Sequence, residues 1–288
     1  MRALSDRLIL EHVQTLGHEH PPIPLESVDY SVKDPVGMSR RFGRVLDFLA
    51  RVELEVERNV LELLVLLPGV GEADRMFYAD VWADQEIRHG VILDKLQNDI
   101  GRPPAEPDTT VSTGVRILGM LAHFPAIHDI IRLLYYLTGA ATERQAVLAY
   151  NRLEAGLIEM DEQAIARTVI GQIKRQEPGH YAFYNMSATL MFQQGELRPW
   201  QVFLARQLRK LSFEPVGMYG DRTRQAEFGG VAIALGLDED LARIARDVGR
   251  VEHSLLWASK NGMEVPPYIL KAFEESVAAF RSGRSFAA

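Results

Sequence analysis

The chain has 288 residues and no cysteine; 47% are hydrophobic and 25% charged, with a formal net charge of -7. That length and balance suit one large-cored soluble domain over 1–288 and leave no basic footprint for nucleic acid. Absence of cysteine excludes disulfides, thiolate catalysis and cysteine-ligated iron-sulfur or zinc sites, and no apolar run is long enough for a membrane span. Nor does a basic, then apolar leader open the chain, so a cytoplasmic protein is the expectation.

In chain order the periodicity predicts helices throughout. A short amphipathic helix near 4–15 precedes a proline-rich loop, Pro21-Pro22-Ile23-Pro24 to Pro35-Val36-Gly37, expected to lie along the outside. One long helix is predicted over 38–67, stopped by Pro68-Gly69-Val70-Gly71, and a second over 72–100, closed by Gly101-Arg102-Pro103-Pro104. Past a polar stretch, helical periodicity returns near Ser112 and runs beyond Pro125 into a third helix over 127–160. A fourth, over 161–194, takes Asp161 as its N-cap. Pro178-Gly179 lies inside it, and a proline there predicts a kink or π-bulge that would aim the flanking Glu177 and His180. Further amphipathic helices are predicted over 199–211, 221–235, 238–261 and 267–282, with a frayed tail at 284–288.

The residues that carry chemistry repeat. Glu86-Ile87-Arg88-His89 and Glu177-Pro178-Gly179-His180 each follow another glutamate, Glu53 and Glu143, by 33 and 34 residues. At i, i+3 on a helix, the carboxylate and imidazole leave one face and can reach one ion. Chance alone supplies roughly half of one such pair in a chain of this composition, so the setting carries the weight. Glu86 and His89 share a stripe with Ala79, Trp82 and Leu93; Glu177 and His180 share one with Ile170, Ile173, Tyr184 and Met191. Glu143 lies among Tyr136, Ala140, Val147 and Tyr150, and Glu53 among Phe42, Leu46, Leu49, Val56 and Val60. Glu55 points to the opposite face, whereas Glu57 flanks the stripe and would replace Glu53 if the helix were rotated. His12, His18, His20, His123, His128 and His253 have no glutamate three residues before them.

Four glutamates and two histidines facing one interior are prohibitively costly unless two divalent cations neutralise them. Glutamate from each of two helices plus Glu-x-x-His from each of two others is the dimetal pattern of ferritin-like four-helix bundles. The fold expected is therefore all-α: a ferritin-like bundle over 38–194 with additional N- and C-terminal helices. Hard oxygen donors with two imidazoles suit Fe or Mn.

Trp82-Ala83-Asp84-Gln85-Glu86-Ile87-Arg88-His89-Gly90, continuing through Leu93-Asp94-Lys95-Leu96 to Gly101-Arg102, resembles the Trp-x-x-(Glu)-Glu-x-Arg-His-Gly signature of the soluble acyl-carrier-protein desaturases. Thr142-Glu143-Arg144 is similar to their third-helix element. Arg209-Lys210-Leu211, Pro215, Met218-Tyr219-Gly220-Asp221 and the run from Val231 to Leu235 extend the likeness, which covers Met38 to Val251. The resemblance implies two Fe ions, with Mn as the alternative at one site. Glu53 and Glu143 would be terminal ligands, Glu86 and Glu177 bridging ones, and His89 and His180 nitrogen donors. It implies Trp82 as an electron-transfer residue, an external donor such as ferredoxin, an acyl carrier protein delivering the acyl substrate, and a homodimer. Its activity would be O2-dependent insertion of a double bond into the acyl chain.

Two departures accompany the likeness. A family threonine three residues after the third-helix glutamate is Ala146 here, leaving Thr142 to substitute from another part of the helix surface. Pro178-Gly179 replaces charged residues. Related bundles hydroxylate, oxidise amines or act on other tethered or free molecules; a silent paralogue that binds acyl carrier or iron is the third alternative. A fatty acyl chain needs a long, narrow, apolar channel. Docking of an acidic carrier needs a basic patch, for which Arg206, Arg209 and Lys210, or Arg40, Arg41 and Arg44, are the candidates.

Overall fold

The computed structural model describes residues 3–67, 69–111, 113–218, 221 and 223–283. Pro68, Ser112, Tyr219, Gly220 and the 284–288 tail, all invoked above, lie outside them. The described residues are helical, without a strand. Helix α1 (Asp6–Glu19) starts where the Ser5 hydroxyl accepts from Leu8 N, and it buries Ile9, Val13 and Leu16. Helix α2 (Pro35–Leu54) starts on Asp34, whose carboxylate accepts from Gly37 N at 2.8 Å, with Pro35 preset for the first turn. The single helix expected over 38–67 is interrupted at Glu55, and α3 (Val56–Leu66) follows. Glu55 is buried in the break, and its carboxylate meets Arg51 at 3.1 Å, Arg58 at 3.2 Å and Arg224 at 3.0 Å. It also accepts from Asp108 N.

The next stretch is helical from 72 to 99, as α4 (Glu72–Met76), a π-helical segment Phe77–Trp82, and α5 (Ala83–Asp99). After α6 (Thr113–Leu121), α7 (Pro125–Glu159) opens with proline at its first position. Then come α8 (Gln163–Ile165), a π-helical segment Ala166–Ile170, and α9 (Gly171–Gln193). Asp161 is no N-cap: it has φ 61° and pairs with Lys33 at the surface. Buried Glu162 stands at the cap position, but its carboxylate accepts from Lys33 N and Asp34 N, serving the start of α2 instead of its own helix. At Pro178 there is no wide turn either. Helix α9 is α-helical through it, and the π segment lies two turns upstream. The π-bulge that was one form of the distortion expected at Pro178 is therefore absent there. The remaining described helices are α10 (Pro199–Ser212), α11 (Thr223–Ala234), α12 (Leu241–Val248), α13 (Arg250–Glu252) leading into a π segment His253–Trp257, and α14 (Pro267–Arg281).

Two hydrophobic cores result. One contains Phe42 to Ala50 of α2, Ile92 to Leu96 of α5, Ala141 to Leu157 of α7, Ile165 to Ile173, and residues of α11, α12 and α14. The other contains Val56 and Leu63 of α3, Phe77 to Ala83, Ile130 to Ala140 of α7, Phe183 to Met191 of α9, and α1. Along α2–α3, α5, α7 and α9 the crossing from one core to the other falls at Glu53, at Glu86 and His89, at Glu143, and at Glu177 and His180. The charged residues form a layer between the cores. No described helix is long and apolar enough to cross a membrane.

Candidate metal centre

All six residues singled out by the repeat are buried, the two histidines completely. They form two groups, Glu53, Glu86, His89 and Glu177, and Glu86, Glu143, Glu177 and His180; in each, one ligand atom per residue lies within 4.8 Å of the others. Glu86 and Glu177 belong to both groups. Close approach of α5 to the end of α2 requires Gly90, where a Cβ would sit 2.7 Å from the Leu54 side chain and 3.0 Å from its backbone N. That contact brings Glu53 beside the Glu86–His89 pair.

Both imidazoles turn Nδ1 inward. His89 Nδ1 lies 3.1 Å from Glu86, 3.4 Å from Glu177 and 4.0 Å from Glu53; His180 Nδ1 lies 2.8 Å from Glu86, 3.6 Å from Glu143 and 3.8 Å from Glu177. His180 Nδ1 and Glu177 Oε1 nonetheless make no hydrogen bond of acceptable geometry although both are buried. Polar atoms at such separations without mutual alignment point at a common place between them, as ligands of one ion do. The donor set of four carboxylates and two imidazoles fits a pair of hard or borderline divalent cations.

Without metal the four carboxyls divide unequally. Burial, reinforced by neighbouring carboxylates, holds Glu53 and Glu143 well above the usual range. Burial also pushes on Glu86 and Glu177, but the imidazoles beside them win and hold both below it. The imidazoles rise in turn: burial opposes the charge, yet the close Glu177 and Glu86 carboxylates bring His89 to about 9, and Glu86, Glu143 and Glu177 raise His180.

The side chains behind the cluster repeat with it. His89 Nε2 lies 2.6 Å from Gln176 Oε1, and His180 Nε2 lies 2.5 Å from Gln85 Oε1. Both glutamine amides donate to the main-chain carbonyl of His20, and Gln176 also to that of Pro21. The carboxylates outside the shared pair each accept from an aromatic residue: Tyr150 donates to Glu53, and Trp82 Nε1 donates to Glu143 at 3.2 Å. Trp82 ends the π segment and stacks on Phe77, which stacks on Phe183 with centroids 3.7 Å apart. Sequence reasoning placed Trp82 near the cluster but missed Gln85, Gln176 and Tyr150. One signal was visible: glutamine precedes the glutamate in both repeats.

Glu57 is exposed and lies outside both groups, and Glu55 faces its arginines, so Glu53 is the first-helix contributor. The other histidines also lie elsewhere. His12 Nε2 donates to the carbonyl of Gly179, where a Cβ would meet Leu16 at 2.4 Å; the glycine in this repeat admits α1. Arg209 is no docking residue, because it is buried and bonds Glu252 twice and Thr138 once.

A cavity of about 70 Å³ touches Glu53, Glu86, Glu143 and Glu177. Apart from these carboxylates and Asn59, Thr142 and Gln145, its walls are aliphatic or aromatic, reaching Leu235, Ile244 and Phe273. Thr142 and Ala146 both line it, so Thr142 is on the same face as the family's threonine position, one turn earlier, and not on a separate surface. Comparison with known proteins returned nothing: no family model, no curated protein and no solved structure matches this chain.

Proposed function

We propose that this chain is a ferritin-like di-iron oxidoreductase that acts on a long apolar chain, in the manner of the acyl-carrier-protein desaturases it resembles. The observation that carries the reading is the cavity: four carboxylates of the cluster line it, and most of its other walls, apart from Asn59, Thr142 and Gln145, are side chains that suit methylenes. When bound, two irons would activate O2 with two external electrons and two protons, converting a methylene pair to an alkene and releasing two waters.

The chain's own residues supply the rest. Glu53, Glu86, His89, Glu143, Glu177 and His180 would hold the ions, with the residues common to both groups bridging them. Tyr150 and Trp82 fix the carboxylates that are not shared. Trp82, touching Glu143 and stacked into the aromatic cluster, is the candidate for electron transfer. Phe48, Leu49, Val231 and Phe273 would orient an alkyl chain and exclude water. The hydroxyl of Thr142, on the cavity wall beside Glu143, is positioned for proton handling. Arg40, Arg41 and Arg44 are exposed, and they are the docking patch left for an acidic carrier once Arg209 is withdrawn.

The test is anaerobic Fe(II) loading, reduction, and one exposure to O2 with a long-chain acyl thioester on its carrier protein. Two irons per chain and an acyl product short of two hydrogens are expected. A hydroxylated product would move the assignment to the oxygenases. Two irons with unchanged acyl chain would favour the binding paralogue, and no iron would sink the metal reading itself.

A further inference from the structure

We infer that Gln85 and Gln176 are positioning residues that act crosswise, each fixing the histidine of the opposite repeat with Nδ1 toward the metals, and that the His20 carbonyl anchors both. The inference rests on the metal reading above. It starts from an orientation that the hydrogen bonds settle. Each amide has its oxygen against an imidazole Nε2 and its nitrogen against the His20 carbonyl. Reversing either amide would set oxygen against the carbonyl and leave both without a proton to share. Because the amide oxygen only accepts, Nε2 must carry the hydrogen. A neutral ring then presents its lone pair at Nδ1, the atom that faces the carboxylates.

Glutamate at either position would not do the same work. It would accept from the ring, but its second oxygen would face the His20 carbonyl with nothing to donate. Charge points the same way. Four carboxylates and two divalent cations cancel, so a neutral brace keeps the buried layer neutral, whereas two further carboxylates would leave it negative. The brace also explains the proline-rich segment after α1. Pro21 and Pro22 follow the anchoring carbonyl and restrict the chain there. That segment, which contributes no ligand, ties α5 to α9 through one carbonyl oxygen.

The crosswise contact makes a prediction that general support of the fold does not. Full-length, metal-free protein is titrated anaerobically with Co(II) while absorption and bound metal are followed, and the hyperfine-shifted imidazole N–H resonances are compared in H2O and D2O. Wild type is expected to bind two Co(II) and to show two slowly exchanging N–H signals, assigned by their loss in His89→Ala and His180→Ala. Gln176→Leu should weaken one ion about 10- to 100-fold and remove the His89 signal while sparing the other; Gln85→Leu should do the converse. Gln176→Asn and Gln85→Asn, too short to bridge, should give the same pattern if a leucine variant does not fold. Loss of the signal from the same repeat, equal loss of both, or no change in a wild type that binds two ions would overturn the brace alone. Failure of the wild type to bind Co(II) would overturn the metal reading and the brace with it.

Discussion

Glu53 and Glu143 are buried, as Glu86 and Glu177 are, yet only the latter pair lies where both imidazoles can hold it ionised. In the metal-free chain Glu53, Glu143 and both imidazoles hold their protons more tightly than free groups do, while Glu86 and Glu177 hold theirs less tightly. Divalent cations bound at this cluster would displace those protons, so loading near pH 6 should release at least one proton per chain, the one His89 still holds there. Calorimetric titration in buffers of differing ionisation enthalpy measures that number, and a value near zero would mean the ions bind elsewhere. The clustered residues were legible because a helix places i and i+3 on one face and the apolar stripes gave that face a direction. Gln85, Gln176 and Tyr150 were harder to find. Their partners lie on other helices, and a glutamine or tyrosine on a helix says nothing by itself about which ring or carboxylate it will meet.

At the scale of elements, the long helical stretches follow from periodicity and proline, whereas the interruptions that divide them do not. The π segments Phe77–Trp82 and Ala166–Ile170 precede the two repeats, and neither contains the proline that drew attention to Pro178. The first segment packs Phe77 against Trp82 and Phe183, a contact with no local signature in the sequence. The break between α2 and α3 is of the same kind. Glu55 read as a residue of a continuous helix facing away from the cluster, and it does face away, but into three arginines. Removing the acid leaves those cations buried around an empty position. Glu55→Ala should therefore cost about 3–5 kcal/mol, and Glu55→Gln, which retains an acceptor, less. Chemical denaturation of the metal-free chain would measure both, and a loss under about 1 kcal/mol for the alanine variant would show that the arginines relax to solvent.

For the molecule as a whole, the all-α class was readable from composition and period, but the division of the interior was not. Two cores meet at a layer of six ionisable groups, so stability should depend on pH and, if the layer holds metal as proposed, on metal as well. Groups whose folded pKa is raised bind protons more strongly in the folded state. Their contribution is complete below the unfolded value and fades as pH climbs through the folded one. For His89 the window runs from 6.5 to about 9; His180 moves the same way, and Glu53 and Glu143 begin their loss above 4.5. Glu86 and Glu177, held low, lose their contribution only as pH falls through their folded values. Raising pH from about 6 to 9 should thus lower the Tm of the metal-free chain. Metal reverses the dependence, because rising pH removes the protons that compete with it, and ligand at 100 times its Kd adds about 2.7 kcal/mol. The Tm difference between metal-loaded and metal-free protein should therefore widen across that range. Calorimetric scans at pH 6, 7.5 and 9 test this directly: a gap that stays constant would mean that the buried layer does not couple its protons to the ions, and the charge balance drawn from its geometry would fail.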